Sequence, residues 1–187
     1  MNNAIRKLVL TVLLSVFAFT GGDALAQSFG GAFEGMSNTD DPIQIEADSL
    51  EVIDGQGIAQ FKGNVSVVQG TTVLTASSLK VFYFNNGGGS DPNSRIRKIE
   101  AGGGSRVAVR SGDNHATANQ LVVDMQQESV TLRGDVIVSQ GENAVNGCIL
   151  KVDLKTNNAT LHPCEAASQV GSNGRIKMIF KPKSNNN

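Results

Sequence analysis

From Ile43 onward the apolar residues of this chain return at every second position. The runs are Ile43/Ile45, Leu50/Val52, Val65/Val67, Leu79/Val81, Val107/Val109, Leu121/Val123, Val136/Val138, Leu150/Val152/Leu154 and Ile176/Met178/Phe180. A spacing of two sets each run on one face of a β-strand, whereas an amphipathic helix would bring apolar residues back at three and four. Turn formers separate the runs at short intervals: Asp54-Gly55, Gln69-Gly70, Asn85-Asn86-Gly87, Gly102-Gly103-Gly104, Gly112-Asp113, Gln140-Gly141 and Thr156-Asn157-Asn158. Connections this short close antiparallel hairpins and are too short for the crossovers of a parallel sheet. The 21 glycines among 187 residues suit that density of turns and not a helical bundle. The expectation is an all-β antiparallel meander with almost no helix.

The meander repeats itself. FKGNVSVVQG at 61–70 returns as LRGDVIVSQG at 132–141, an offset of 71. Without a gap the same offset carries Ala47, Leu50 and Val52 onto Ala118, Leu121 and Val123, and Leu79-Lys80-Val81 onto Leu150-Lys151-Val152. Neither half alone would close off its apolar face, so two similar halves sharing one core in a single domain are expected.

Arg6 and Lys7 precede an apolar run from Leu8 to Thr20 and then Ala24-Leu25-Ala26, the pattern of a secretory signal cleaved after Ala26. Thirteen apolar residues fall short of the roughly 20 that span a bilayer as a helix. Residues 27–41 read as a flexible leader, 42–182 as the folded domain and 183–187 as a disordered tail. Export puts Cys148 and Cys164 in an oxidising compartment. A hairpin centred on Thr156 sets the two opposite each other, so an intramolecular disulfide is expected, with Pro163 marking an edge or a bulge.

Several function classes fail on inventory. A net charge of −1 offers no basic footprint for nucleic acid. GxSxG and HExxH are absent, the triple glycines lack the Lys-Ser/Thr of a phosphate loop, and two histidines with two isolated cysteines make no zinc set. No catalytic residue, metal or cofactor is expected. A polysaccharide-binding or polysaccharide-cleaving β protein is the alternative reading, since a carboxylate pair is defined in space and not in sequence. One Tyr and no Trp speak against aromatic sugar platforms.

The run DPIQIEADSLEV (41–52), then FKGNVSVVQG and LTASSLKVFY (74–83), followed by ATANQLVVD, LRGDVIVSQG and ILKVDL, resembles the OstA-like family over about Pro42 to Pro182. The resemblance implies a β-jellyroll folded over like a taco, of about 14–16 short strands, working in the periplasm. Its groove would carry lipopolysaccharide acyl chains between inner-membrane LptC-like and outer-membrane LptD-like components, and protomers would join head to tail through terminal strands. Cys148/Cys164 and the glycine-rich inserts at 87–89 and 102–104 depart from the family pattern.

Physical chemistry reaches a compatible place. An acyl chain of about a dozen methylenes costs about 10 kcal/mol to expose to water, so it crosses an aqueous space only inside an apolar sleeve. The groove-lining set expected from the alternation is Ile43, Ile45, Val65, Val67, Val107, Val109, Leu121, Val123, Val136 and Val138. Arg95, Arg97, Lys98, Arg106 and Arg110 are candidates to meet headgroup phosphates. Strands about 4.8 Å apart, 14–16 in a row, would extend roughly 70 Å and leave two open edges. Seven acids and no base lie between Gln27 and Phe61, and four bases and no acid follow Glu165. Opposite charge favours pairing of the two ends, with Ile176, Met178 and Phe180 at the interface.

Overall fold

A computed structural model describes residues 32–33, 41–84, 96–164 and 175–181. Twelve strands form one antiparallel sheet: β1 (Gln44–Glu46), β2 (Ser49–Ile53), β3 (Ile58–Gln69), β4 (Thr72–Tyr83), β5 (Ile96–Gly102), β6 (Val107–Ser111), β7 (Asn114–Ala118), β8 (Gln120–Asp124), β9 (Ser129–Gln140), β10 (Asn143–Asp153), β11 (Ala159–His162) and β12 (Lys177–Ile179). Among the described residues there is no α-helix; a 3-10 turn spans Asp54–Gln56.

The fold lies in how four long strands are shared. β3, β4, β9 and β10 each bend midway, and their halves pair with different neighbours. One layer runs β1, residues 65–69, residues 72–76, β6, β7, residues 136–140, residues 143–147, β12. The other runs β2, residues 58–62, residues 78–83, β5, β8, residues 129–133, residues 149–153, β11. Counted by halves, the expected 14–16 short segments are present, eight to a layer. The roughly 70 Å length is corrected: because the stack is doubled over, seven strand spacings give about 35 Å.

The repeated motif is the corner. Gly63 and Asn64 have φ of 78° and 45°, and Gly134 and Asp135 of 77° and 48°. Left-handed residues inserted in a strand make a bulge that bends it, and the β3–β4 register shifts between Lys62 and Val65. The Asp48 N–H donates to the Gly63 carbonyl at 3.0 Å and Asn64 Nδ2 to the Asp48 carboxylate at 2.9 Å. In the second half the Asn119 N–H bridges the Arg133 and Gly134 carbonyls at 3.1 and 2.9 Å. Between them the Ser105 N–H donates to Ser77 Oγ at 3.2 Å, and Arg106 pairs with Asp135 and Thr117. The corners therefore line up as a polar seam. Hairpin turns such as Gly112-Asp113 on one layer and residues 125–128 on the other form the opposite margin.

Two details differ from expectation. Within the expected leader 27–41, Ala32 and Phe33 are fully buried in the shared core, and residues 27–31 and 34–40 lie outside the described residues. The β10–β11 hairpin pairs Leu150 with Leu161, one residue away from a centre on Thr156. The Asp153 carboxylate accepts from the Lys155 and Thr156 N–H groups, and Asn157 adopts φ 56°, which tightens the turn. In that register Pro163 falls opposite Cys148. A bulge between Gly147 and Ile149 offsets the slip, and Cys148 and Cys164 are joined with their Cα atoms 4.8 Å apart. The signal segment 1–26, the tail 183–187, the insert at 87–89 and Arg95 lie outside the described residues.

Candidate functional site

The inner faces of both layers carry apolar rows that cross every rung. In one layer, cross-strand neighbours run Leu50, Phe61, Leu79, Ala101, Leu121, Leu132, Leu150, Leu161, and beside them Val52, Ala59, Val81, Ile99, Val123, Val130, Val152, Ala159. The facing layer contributes Ile45, Val67, Leu74, Val109, Ala116, Val138, Val145 and Met178. Inward residues recur at spacing two because alternate side chains of a strand share a face.

Of the groove set expected from sequence, Val65, Val107, Val109, Leu121, Val123, Val136 and Val138 are buried, and Ile43, Ile45 and Val67 are half-buried. A cavity opens among the earlier rungs, lined by Ile43, Ile45, Val67, Gln69, Thr72, Leu74, Leu79, Val81, Ile96, Ile99, Val123 and Met125. It joins Ile43, Ile45, Val67 and Val123 from the expected set. Val107, Val109, Val136 and Val138 pack in the core away from it. Its volume is about 50 Å³, room for about three or four waters.

Sequence reasoning passed over Leu74, Ile99, Val130, Leu132 and Leu150 as lining residues. In β4 the buried positions change phase from Thr72, Leu74, Ala76 to Leu79, Val81 across Ser77. In β10 the change from Val145, Gly147 to Leu150, Val152 falls at Cys148, the repeat equivalent of Ser77. The double serine in LTASSLKV is the signal that marks the first slip.

The rows do not stop short of the sheet edges. Leu50 and Val52 on β2 are each 56% exposed, Met178 on β12 is 49% exposed, and Ile176, Ile179 and Phe180 are exposed beside it. The edges carry opposite charge, part of it paired within the chain: Glu51 lies 3.4 Å from Lys62, and Lys181 pairs with Glu142.

The candidate cations do not converge on one site. Arg97 stacks 5.9 Å from the Phe82 and Phe84 rings, Lys98 sits 4.5 Å over Phe82 and 2.7 Å from Glu100, and Arg106 belongs to the seam. Arg110 stands opposite His115 on the other layer. Among the described residues no group of His, Cys, Asp and Glu is placed to hold a metal, and no helix is long and apolar enough to cross a membrane.

Fold and interior together define a folded-over antiparallel sheet enclosing an apolar sleeve. Residues 44–158 match the family described as LptA/(LptD N-terminal domain) LPS transport protein. An uncharacterized protein of Rhizobium meliloti is 37% identical over 164 residues, covering 86% of this chain and 83% of its own. The lipopolysaccharide export system protein LptH of Pseudomonas aeruginosa is 41% identical over 51 residues, 27% of this chain and 29% of LptH. The crystal structure of LptH, the LptA-homologous periplasmic component of that organism's lipopolysaccharide transport device, superposes with a TM-score of 0.61 at 22% identity. It covers 76% of this chain and 97% of LptH, and shows the same fold. The chain belongs to the LptA/LptD N-terminal domain family, a family of transport proteins and not of enzymes.

Proposed function

We propose that this protein works in the periplasm as a lipopolysaccharide carrier that shields lipid A acyl chains between its two layers. In that role it bridges inner-membrane LptC-like and outer-membrane LptD-like components. The observation that carries the reading is the set of apolar rows running unbroken through all eight rungs and out to both edges. A row that filled only a core would be capped at its ends by polar residues. Here Leu50, Val52 and Met178 stand where an added rung would extend the same surface. Open strand edges are templates for further strands, so β1 and β2 of one protomer would meet β11 and β12 of the next, or the equivalent edge of a partner. Sugar recognition finds little to stand on: the sole tyrosine, Tyr83, donates its hydroxyl to Asp54 at 3.1 Å, at the margin and not along the rows.

Photo-crosslinkers at Ile45, Val67 and Val123, compared with Ser66 and Val122 on the outer faces, test the reading in cells. Capture of lipopolysaccharide from the inner set alone is the expected result. Capture from the outer set, with none from the inner, would sink the proposal.

A further inference from the structure

We propose that Phe33 is a built-in occupant of the apolar sleeve, displaced by acyl chains when lipid loads. The inference rests on the lipid reading above and adds how the empty state is kept filled. Phe33 is 0% exposed and, among the described residues, is the largest of the side chains buried so completely. It belongs to the same cluster as the inward rows, whose other fully buried large members, Leu79, Leu121, Leu132 and Leu150 among them, all sit on strands. Phe33 does not: it lies in a short 3-10 turn outside every ladder.

That difference decides what can leave. Pulling Leu121 or Leu132 out of the core would break backbone pairs on both sides, whereas withdrawing Phe33 breaks no strand pair. Apolar burial retains it, and the same force draws an acyl chain in. Burying one phenylalanine is worth roughly what two to four methylenes are worth, and a chain of about a dozen methylenes brings several times that. Lipid therefore wins the competition. Ten residues separate Phe33 from β1, a length of chain that spans up to about 35 Å when fully extended.

A protein that must expel its own side chain binds lipid less tightly than one with an open site, by the fraction of open molecules. The chain contains no tryptophan, so Phe33→Trp makes a single reporter of similar shape at the position in question. In the full mature chain, the tryptophan emission should start blue and shielded from iodide. It should turn red and quenchable as purified lipopolysaccharide is added. Phe33→Ala should bind lipopolysaccharide about tenfold more tightly than the unaltered protein, the gain expected where plugged molecules outnumber open ones about ten to one. A tryptophan that stays blue and shielded while lipopolysaccharide co-elutes with the protein would overturn the inference and leave the lipid reading standing. Equal or weaker binding by Phe33→Ala would do the same. If the folded Phe33→Trp protein and the unaltered protein both fail to bind lipopolysaccharide, the lipid reading falls and this inference falls with it.

Discussion

Replacing Gly134 by alanine tests whether the glycine of the repeated motif is what folds the sheet over. Its φ of 77° lies beyond the left-handed well that other residues tolerate, a strain of about 1–2 kcal/mol. A Cβ built there would stand 2.6 Å from Asn119 Nδ2 and 3.0 Å from Asn119 Cβ and Cγ. Asn119 has little freedom to withdraw, because its N–H is held by the Arg133 and Gly134 carbonyls. Moving it weakens hydrogen bonds worth about 1 kcal/mol each, which brings the expected loss to about 3 kcal/mol. Gly141 is the control: its φ of 54° falls inside the well, and nothing lies within 4 Å of its would-be Cβ. Gly141→Ala should cost about 1 kcal/mol. Urea unfolding measures both as shifts in midpoint at constant slope. For a chain of this size the melting points should fall by roughly 6–12 °C and 2–4 °C. Equal losses in the two variants would show that the corner does not depend on that glycine.

Three further outcomes are expected. Replacing Cys148 and Cys164 by serine removes a link across 16 residues and should cost at most about 3 kcal/mol, with lipopolysaccharide binding unchanged; lost binding would place the bridge in the carrier function. Deleting residues 175–187 should leave a folded domain that no longer forms concentration-dependent oligomers, and light scattering that still finds them would remove the C-terminal edge from the joint. Asp153 is held below the usual carboxylate range, chiefly by the Thr156 N–H and then the Thr156 hydroxyl. Its stabilising effect is present above the ordinary carboxylate value near ~4 and is lost as pH falls through the lowered one. Unfolding midpoints of Asp153→Asn should therefore respond less to acid in that window than those of the unaltered protein; parallel curves would refute the assignment.

How much was legible in the sequence follows from what each signal depends on. Alternation at spacing two depends on local geometry alone, and it placed Val107, Val109, Leu121, Val123, Val136 and Val138 on buried faces. The glycine of the FKGN and LRGD motifs was visible as a break between strand runs. That it joins two layers through one continuous strand depends on which neighbours each half pairs with, and pairing partners are not written in a single strand. The length estimate failed for that reason. Phase slips at Ser77 and Cys148 hid Leu74 and Val145, since a bulge moves the inward set by one position. Phe33 was missed because an isolated aromatic in a glycine-rich stretch has no period to reveal it.

On the proposed carrier reading, the polar seam has a consequence for what could be carried. Corner bonds such as Asn64 to Asp48 and Arg106 to Asp135 sit on one side of the fold, whereas at the other margin Gly141 bonds to Asp113 and Leu154 to Glu128 within single layers. Among the described residues the two layers are thus joined by the bending strands along one flank, the arrangement of a hinged slot. An amphiphile can enter a slot sideways, with its tails inside and its polar part outside, and need not be threaded from an end. The bore then limits the tails alone. A polar head of any length can travel along the outside, and copies joined edge to edge with their hinges aligned would form one continuous track.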